Sequence, residues 1–224
     1  MAVIVAVVEV AQVEVKNVMM KRILLIILFC FAFKVNAQNN LNLEFVGLTI
    51  HPAGDPTAHL QPNKLDENAR FVINYGAVLT YEHFIIGDVL ALKGLQSVFA
   101  DCSAGWAAIS HIAIKGMVLR RPKHRLGISL GPAFMIRESW RRFEDYESSG
   151  YLNDMYSPIF GPVQYKFFPV AAEIEYDLKL NEQLDFTFSV VPGVPMAFTF
   201  GFGIKYWFNR DFKHRIYLPK IKKE

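Results

Sequence analysis

The stretch AFTFGFGIKYWFN, residues 197 to 209, decides the fold. Phe198, Phe200, Phe202, Ile204, Tyr206 and Phe208 alternate there with Ala197, Thr199, Gly201, Gly203, Lys205 and Trp207. Successive side chains of a β-strand point to opposite faces, so one face carries rings and the other glycines, a threonine and a lysine. A soluble β-sandwich would bury the rings in its core. A barrel in a bilayer would turn them to lipid and pack the polar face inside. The rest of the chain decides between these.

The same period recurs upstream. In FVINYGAVLTYE (71–82), Phe71, Ile73, Tyr75, Ala77, Leu79 and Tyr81 oppose Val72, Asn74, Gly76, Val78, Thr80 and Glu82. In LGISLGPAFMIR (126–137), Leu126, Ile128, Leu130, Pro132, Phe134 and Ile136 oppose Gly127, Ser129, Gly131, Ala133, Met135 and Arg137. FPVAAEIEYDL (168–178) sets Phe168, Val170, Ala172, Ile174, Tyr176 and Leu178 against Pro169, Ala171, Glu173, Glu175 and Asp177. Carboxylates and glycines on an inner face are hard to place in a soluble core, where a buried charge is costly unless paired. With 41–51, 88–99, 105–119, 183–191 and the closing strand at 196–208, the pattern predicts eight strands of about 9 to 15 residues, against about 9 to 11 for a tilted membrane strand. Pro132 and Pro169 each remove a ladder donor inside a strand and predict bulges or strand ends.

Connections alternate in length. The polar stretches 52–70 and 138–163 follow the first and fifth strands, whereas 83–87, 120–125 and 179–182, after even-numbered strands, are short. Long loops at one end and short turns at the other are the arrangement of an outer-membrane barrel with both chain ends in the periplasm.

Ahead of the strands, MKRILLIILFCFAFKVNAQ (20–38) places Lys21 and Arg22 before an apolar run from Ile23 to Phe33. Val35-Asn36-Ala37 supplies a small-residue cleavage pattern, so 20–37 reads as a secretory signal peptide cut after Ala37. Residues 1–19 then form an upstream extension outside the mature fold, which begins at Gln38. The mature chain has no apolar run of about 18 residues and so no spanning helix. Its one cysteine, Cys102, cannot form an internal disulfide. A net charge of +3 over 224 residues, with no dominant basic block before the tail, excludes a nucleic-acid footprint. The tail 209–224 holds six basic residues against two acidic and reads as a basic periplasmic extension that can touch anionic headgroups.

Together the signal segment, the eight alternating stretches, the loop rhythm and the aromatic last strand, over residues 38–208, resemble the small bacterial outer-membrane barrels of OmpA and OmpX type. The Gln after the cleavage site is similar to exported proteins of Bacteroidota. The resemblance implies an antiparallel up-and-down barrel in the outer membrane of a Gram-negative bacterium. It implies a monomer in contact with outer-membrane lipid and lipopolysaccharide, without cofactor or resident metal. The last strand of such barrels usually ends the chain; here NRDFKHRIYLPKIKKE follows Phe208.

An eight-stranded barrel is just wide enough for its own side chains. Glu82, Lys93, Lys115, Arg137, Glu173, Glu175 and Lys205, with Asp177, are therefore expected to meet in the lumen as an ion-pair network that fills it; a narrow conducting path or proton relay is the alternative. Catalytic candidates lie at the outer rim. His51, Asp55 and His59 in HPAGDPTAH put a carboxylate between two imidazoles, which could hold a metal ion or, with Asp101 and Ser103 of ADCSAG, activate a hydroxyl. Lipid A palmitoyltransferase barrels place His, Asp and Ser on that side, so an enzyme acting on lipid A or phospholipid acyl chains is one function class. Ser110 and His111 are adjacent on a strand and point to opposite faces, which excludes them as nucleophile and base. In the loop 138–163, Trp140, Arg141, Arg142 and Tyr146 are candidate recognition residues, since rings bury area and arginines bind phosphate in bidentate fashion. A structural or surface-recognition barrel is the leading reading, the enzyme the next, and a small pore the third.

Overall fold

The computed structural model describes residues 38–144, 157–158, 162–193 and 197–210. The expected signal segment and upstream extension, Tyr146 and the tail beyond Arg210 lie outside the described residues. The strands are β1 (Asn39–Ile50), β2 (Phe71–Ile86), β3 (Leu90–Ala100), β4 (Trp106–Arg120) and β5 (His124–Glu138). The two-residue β6 (Ser157–Pro158), β7 (Val163–Lys179), β8 (Leu184–Gly193) and β9 (Ala197–Asn209) follow. Each pairs antiparallel with its neighbour, β5 pairs with β7, and β1 pairs with both β2 and β9, so eight long strands close into a barrel with β6 laid along β7.

Register explains which residues share a face. Leu43 of β1 lies between Leu79 of β2 and Ile204 of β9, and all three are exposed on the outer wall. Phe45 and Phe202 meet on that wall at 5.6 Å between ring centroids, as do Phe188 and Phe200 at 5.8 Å. Exposed Phe71, Tyr75 and Trp106 stand toward the loop end, and Tyr81, Tyr206 and Phe208 toward the turn end. The inner face is the reverse: Asn40, Thr80, Glu82, Lys93, Lys115, Glu175, Asp185 and Lys205 have no solvent exposure. An apolar exterior with aromatic belts at both ends and a charged interior inverts the water-soluble pattern and suits hydrocarbon outside.

The prolines act as their chemistry requires. Register shifts between Gly131 and Ala133, where Pro132 on β5 stands against Pro169 and Val170 on β7. One extra residue on β7 reverses its phase. Phe168 therefore pairs with the buried Ala133 and shares the inner face, correcting the expectation that it lies with Val170 outside.

The turn end is tight. Gly87 adopts φ of 52° in the β2–β3 turn, and Asn181 Oδ1 accepts the backbone N–H groups of Gln183 and Leu184 at 2.8 and 2.9 Å in the β7–β8 turn. At the loop end, 51–70 is folded on itself: His51 N–H bonds Arg70 O at 2.8 Å, Asp55 N–H bonds Asn68 O at 2.9 Å, and Lys64 bridges to Val72.

Candidate functional site

The interior is built in storeys. At the turn end, Trp207, Phe84, Ala91 and Met117 form an apolar floor. The Trp207 ring has Arg125 at 4.8 Å and Arg210 at 5.0 Å, and its Nε1–H donates to Asp185 Oδ2 at 2.8 Å. Arg210 donates to both Asp185 oxygens at 2.7 Å, tying the chain just past β9 to the floor.

Above the floor lies the charged layer. Glu82 and Lys93 are paired across β2 and β3, while Lys115 stands opposite Ser129 and Glu175 opposite Gly127. A Cβ on Gly127 would sit 2.5 Å from Lys115 Cε, so this glycine gives Lys115 its passage toward Glu175. Lys93 Nζ is 2.8 Å from Glu173 and 2.7 Å from Glu175. Lys115 Nζ is 2.7 Å from Glu82 and also contacts Glu175. Lys205 Nζ is 2.8 Å from Asp177, 3.5 Å from Glu82 and in contact with Glu175. Asn40 donates to Glu82 at 2.9 Å and Thr187 to Asp177 at 2.9 Å. Ions taken out of water this completely are tolerated because each meets several opposite charges and hydrogen-bond partners.

Higher in the lumen, Glu44 is buried beside β9. Its Oε1 accepts from Asn42 Nδ2 at 2.6 Å and its Oε2 from Ser189 Oγ. A Cβ on Gly201 would stand 2.8 Å from Glu44 Oε2, and one on Gly203 would stand 2.5 Å from Glu44 Cα. The two glycines of the closing strand thus make room for this carboxylate. Thr49 bonds Thr199 at 3.0 Å and accepts from Asn74 at 2.6 Å above it.

The loop end is capped. Asp101 Oδ1 accepts from Ser103 N–H, Ser103 Oγ–H and Gly105 N–H at 3.0, 2.8 and 3.1 Å, and Oδ2 accepts from Trp140 Nε1–H at 2.6 Å. Trp140 packs on Leu60 of the 51–70 loop, with Cys102 and Phe143 alongside, and Arg137 lies 4.6 Å above its ring. Burial holds the Asp101 carboxyl above its ordinary range even though Trp140 and Ser103 donate to it. Burial, with Asp101 and Asp55 nearby, pushes the Cys102 thiol up to about 12, so the thiol is unreactive at neutral pH.

The other sequence candidates fall as follows. His51 Nδ1 is 2.9 Å from Ala69 O and its Nε2 is 4.0 Å from Asp55, whose Oδ1 accepts from Thr57 Oγ–H at 2.6 Å. His59 is exposed on a one-turn 3-10 helix, Ala58–Leu60. Among the described residues no histidine bonds Ser103, whose hydroxyl donates to Asp101, so the rim residues form no nucleophile–base pair. Ser110 lies on the outer wall bonded to Gln96 at 2.6 Å, and His111 lies in the lumen. Arg142 pairs with Glu138 at the rim, and of Arg141 only the backbone is described. Arg137 sits with Trp140 in the cap. Sequence reasoning missed Glu44, Asp185 and Arg125. For Glu44 the signal was present, since Asn42, Glu44 and Val46 alternate with Leu43 and Phe45 in LNLEFVGLTI.

No family model matches the chain, and no curated protein matches it in sequence. Solved structures do match in fold. Ail, the attachment invasion locus protein of Yersinia pestis, in complex with the heparin analogue sucrose octasulfate, is 12% identical with a TM-score of 0.45, covering 78% of this chain and 100% of that one. The N-terminal β-barrel domain of Pseudomonas aeruginosa OprF is 13% identical with a TM-score of 0.41, covering 77% and 99%. The outer membrane protein OprG of Pseudomonas aeruginosa is 11% identical with a TM-score of 0.40, covering 78% and 98%. All three are small outer-membrane barrels.

Proposed function

We propose that this protein is a closed, non-conducting barrel of a Gram-negative outer membrane whose working surface is the loop end, turned to the outside of the cell. The observation that carries this reading is the interior. Trp207 with its two arginines floors the lumen, the lysine–carboxylate layer fills it, and Trp140 with Leu60 covers it. A barrel plugged at three levels has no continuous water path. What remains available to partners is the rim, where Asp101 holds the β3–β4 loop and Trp140 in one arrangement and the 51–70 loop packs on it. Such a cap loses little conformational entropy when it meets a partner, which favours recognition.

Two measurements test this. Refolded in detergent, the protein is expected to migrate faster unheated than boiled on a denaturing gel and to leave the soluble fraction without detergent. In a planar bilayer it is expected to pass no ohmic current. Steady, stepwise conductance from pure protein contradicts the closed lumen, and a folded form stable in water contradicts the membrane assignment.

A further inference from the structure

The outer wall breaks its own pattern at one place. Between the two aromatic belts, every outward-facing residue of the described strands is apolar or glycine except Gln96 on β3 and Ser110 on β4. Both are exposed and stand directly across the β3–β4 ladder from each other, in a row that runs Leu79, Gln96, Ser110, Phe134 from β2 to β5. Ser110 lies four residues inside the strand end at Trp106, which for a tilted strand is about 10 Å below that belt. At that depth the surroundings are hydrocarbon, with no water to bond a polar group.

The pair satisfies itself only in part. Ser110 Oγ–H donates to Gln96 Oε1 at 2.6 Å, and Gln96 Nε2–H donates to Ser97 O at 3.3 Å. A carboxamide has two N–H donors and two acceptor lone pairs, and a hydroxyl has two lone pairs besides its proton. One amide N–H and acceptor positions on both side chains therefore remain, facing acyl chains that offer no partner. The wall around them allows close approach. A Cβ on Gly94, two residues from Gln96 on the same face, would have no atom within 4 Å, and the row above the pair is Ala77, Val98 and Ala108. On β8 and β9 the same wall is studded instead with Phe186, Phe188, Phe198 and Phe202.

We infer that the β2–β4 wall docks a second copy of this barrel about a two-fold axis along the membrane normal, with Gln96 and Ser110 of the two copies at its centre. Charge complementarity names the occupant. A carboxamide carries a positive N–H edge and a negative oxygen, so a second one turned through 180° meets it donor to acceptor twice. The free Nε2–H of each copy then reaches Oε1 or Oγ of the other. Any other protein would need its own amide or hydroxyl at the same depth, whereas a copy brings one by symmetry. In a bilayer apolar burial drives no association, so hydrogen bonds and close contact carry it. The pairing departs from the monomer that the resemblance to OmpA- and OmpX-type barrels implies. It rests on the bilayer placement of the wall and not on the recognition role of the loops.

The test is sedimentation equilibrium of the full mature chain refolded into density-matched detergent micelles, with the compact unheated gel band as the check that the barrel has formed. A reversible monomer–dimer equilibrium is expected. Gln96→Leu combined with Ser110→Ala is expected to keep the compact band and to raise the dissociation constant about 10-fold, the size that two membrane hydrogen bonds carry. In a Cys102→Ala background refolded into vesicles, Ser110→Cys is expected to give a disulfide-linked dimer on mild oxidation, and Phe202→Cys, on the far wall, is not. Should the double variant lose its compact band, this cross-linking decides. A parent that keeps the band and stays monomeric, with or without lipid retained on Gln96 and Ser110, overturns the inference and leaves the bilayer placement standing. A dimer whose constant the double variant does not change overturns it, as does cross-linking through Phe202→Cys as strong as through Ser110→Cys. A parent without the band that is folded in water overturns the placement and the inference together.

Discussion

The charged layer and the loop-end cap are both buried and polar, yet they are assembled by different means. In the layer, Glu82, Lys93, Lys115, Glu175 and Lys205 come from five different strands, each placed by the two-residue period and a ladder register. In the cap, Asp101 gathers groups two, four and thirty-nine residues away through loop backbone and one indole. The layer is held by many mutually neutralising charges and cannot lose one without stranding others. The cap is held by a single carboxylate and can loosen while the barrel stays closed.

That difference sets the expected sizes of effect. Glu175→Gln leaves Lys93, Lys115 and Lys205 short of their shared partner. Removing one side of a buried ionic set costs about 3–5 kcal/mol, enough to lower the yield of the compact gel band sharply. Replacing Glu82, Lys93, Lys115, Glu173 and Glu175 together by apolar residues of like volume is expected to cost far less, because the lysine that remains, Lys205, still has Asp177 at 2.8 Å and Glu173 is not left behind without Lys93. A smaller effect is expected from the outer wall. Leu43→Arg, between Leu79 and Ile204, puts a charge in the hydrocarbon zone at a cost of about 2–4 kcal/mol, read from urea titration of folding into vesicles.

The cap comes next. Trp140→Phe removes the donor to Asp101 Oδ2 and leaves a buried acceptor short of a partner, a loss of about 1–3 kcal/mol. The loss is expected as faster protease cleavage of the 51–70 loop, with the barrel's thermal transition unmoved. Acid should act on the cap in the opposite sense to Trp140→Phe. Asp101 binds its proton more tightly folded than unfolded, so cap stability falls as pH rises from the ordinary aspartate value through the raised one. Cleavage of the loop is therefore expected to slow as pH is lowered through that window, and Asp101→Asn is expected to flatten the dependence. The smallest effect concerns Cys102: with its thiol near 12, it is expected to stay unmodified by a maleimide at pH 7 until the barrel is denatured.

How far the sequence revealed each region follows from the same contrast. Period two is enough to say that Glu173, Glu175 and Asp177 share a face, and strand order carries them to Lys93 and Lys205. The same rule would have set Glu44 inside. It failed at Phe168 because the bulge at Pro169 shifts phase by one residue, a displacement that the proline announces but does not locate. For the cap no period applies. Nothing in HPAGDPTAH says that His51 turns to Ala69 O while His59 faces solvent, because that outcome depends on the fold of the loop back to Arg70. Likewise Trp140, read as a recognition ring, is buried against Leu60, whereas Arg142, two residues on, is exposed.

The central claim is that the ring face of AFTFGFGIKYWFN looks at lipid. Spin labels at Phe198, Phe202 and Ile204 on β9 and at Leu43 on β1, each in a Cys102→Ala background and refolded into vesicles, address it directly. All four positions are expected to relax strongly with oxygen, which partitions into hydrocarbon, and weakly with a water-soluble nickel chelate. Strong relaxation by the nickel chelate at these positions, with weak relaxation by oxygen, would place the rings against water and contradict a barrel that lives in a membrane.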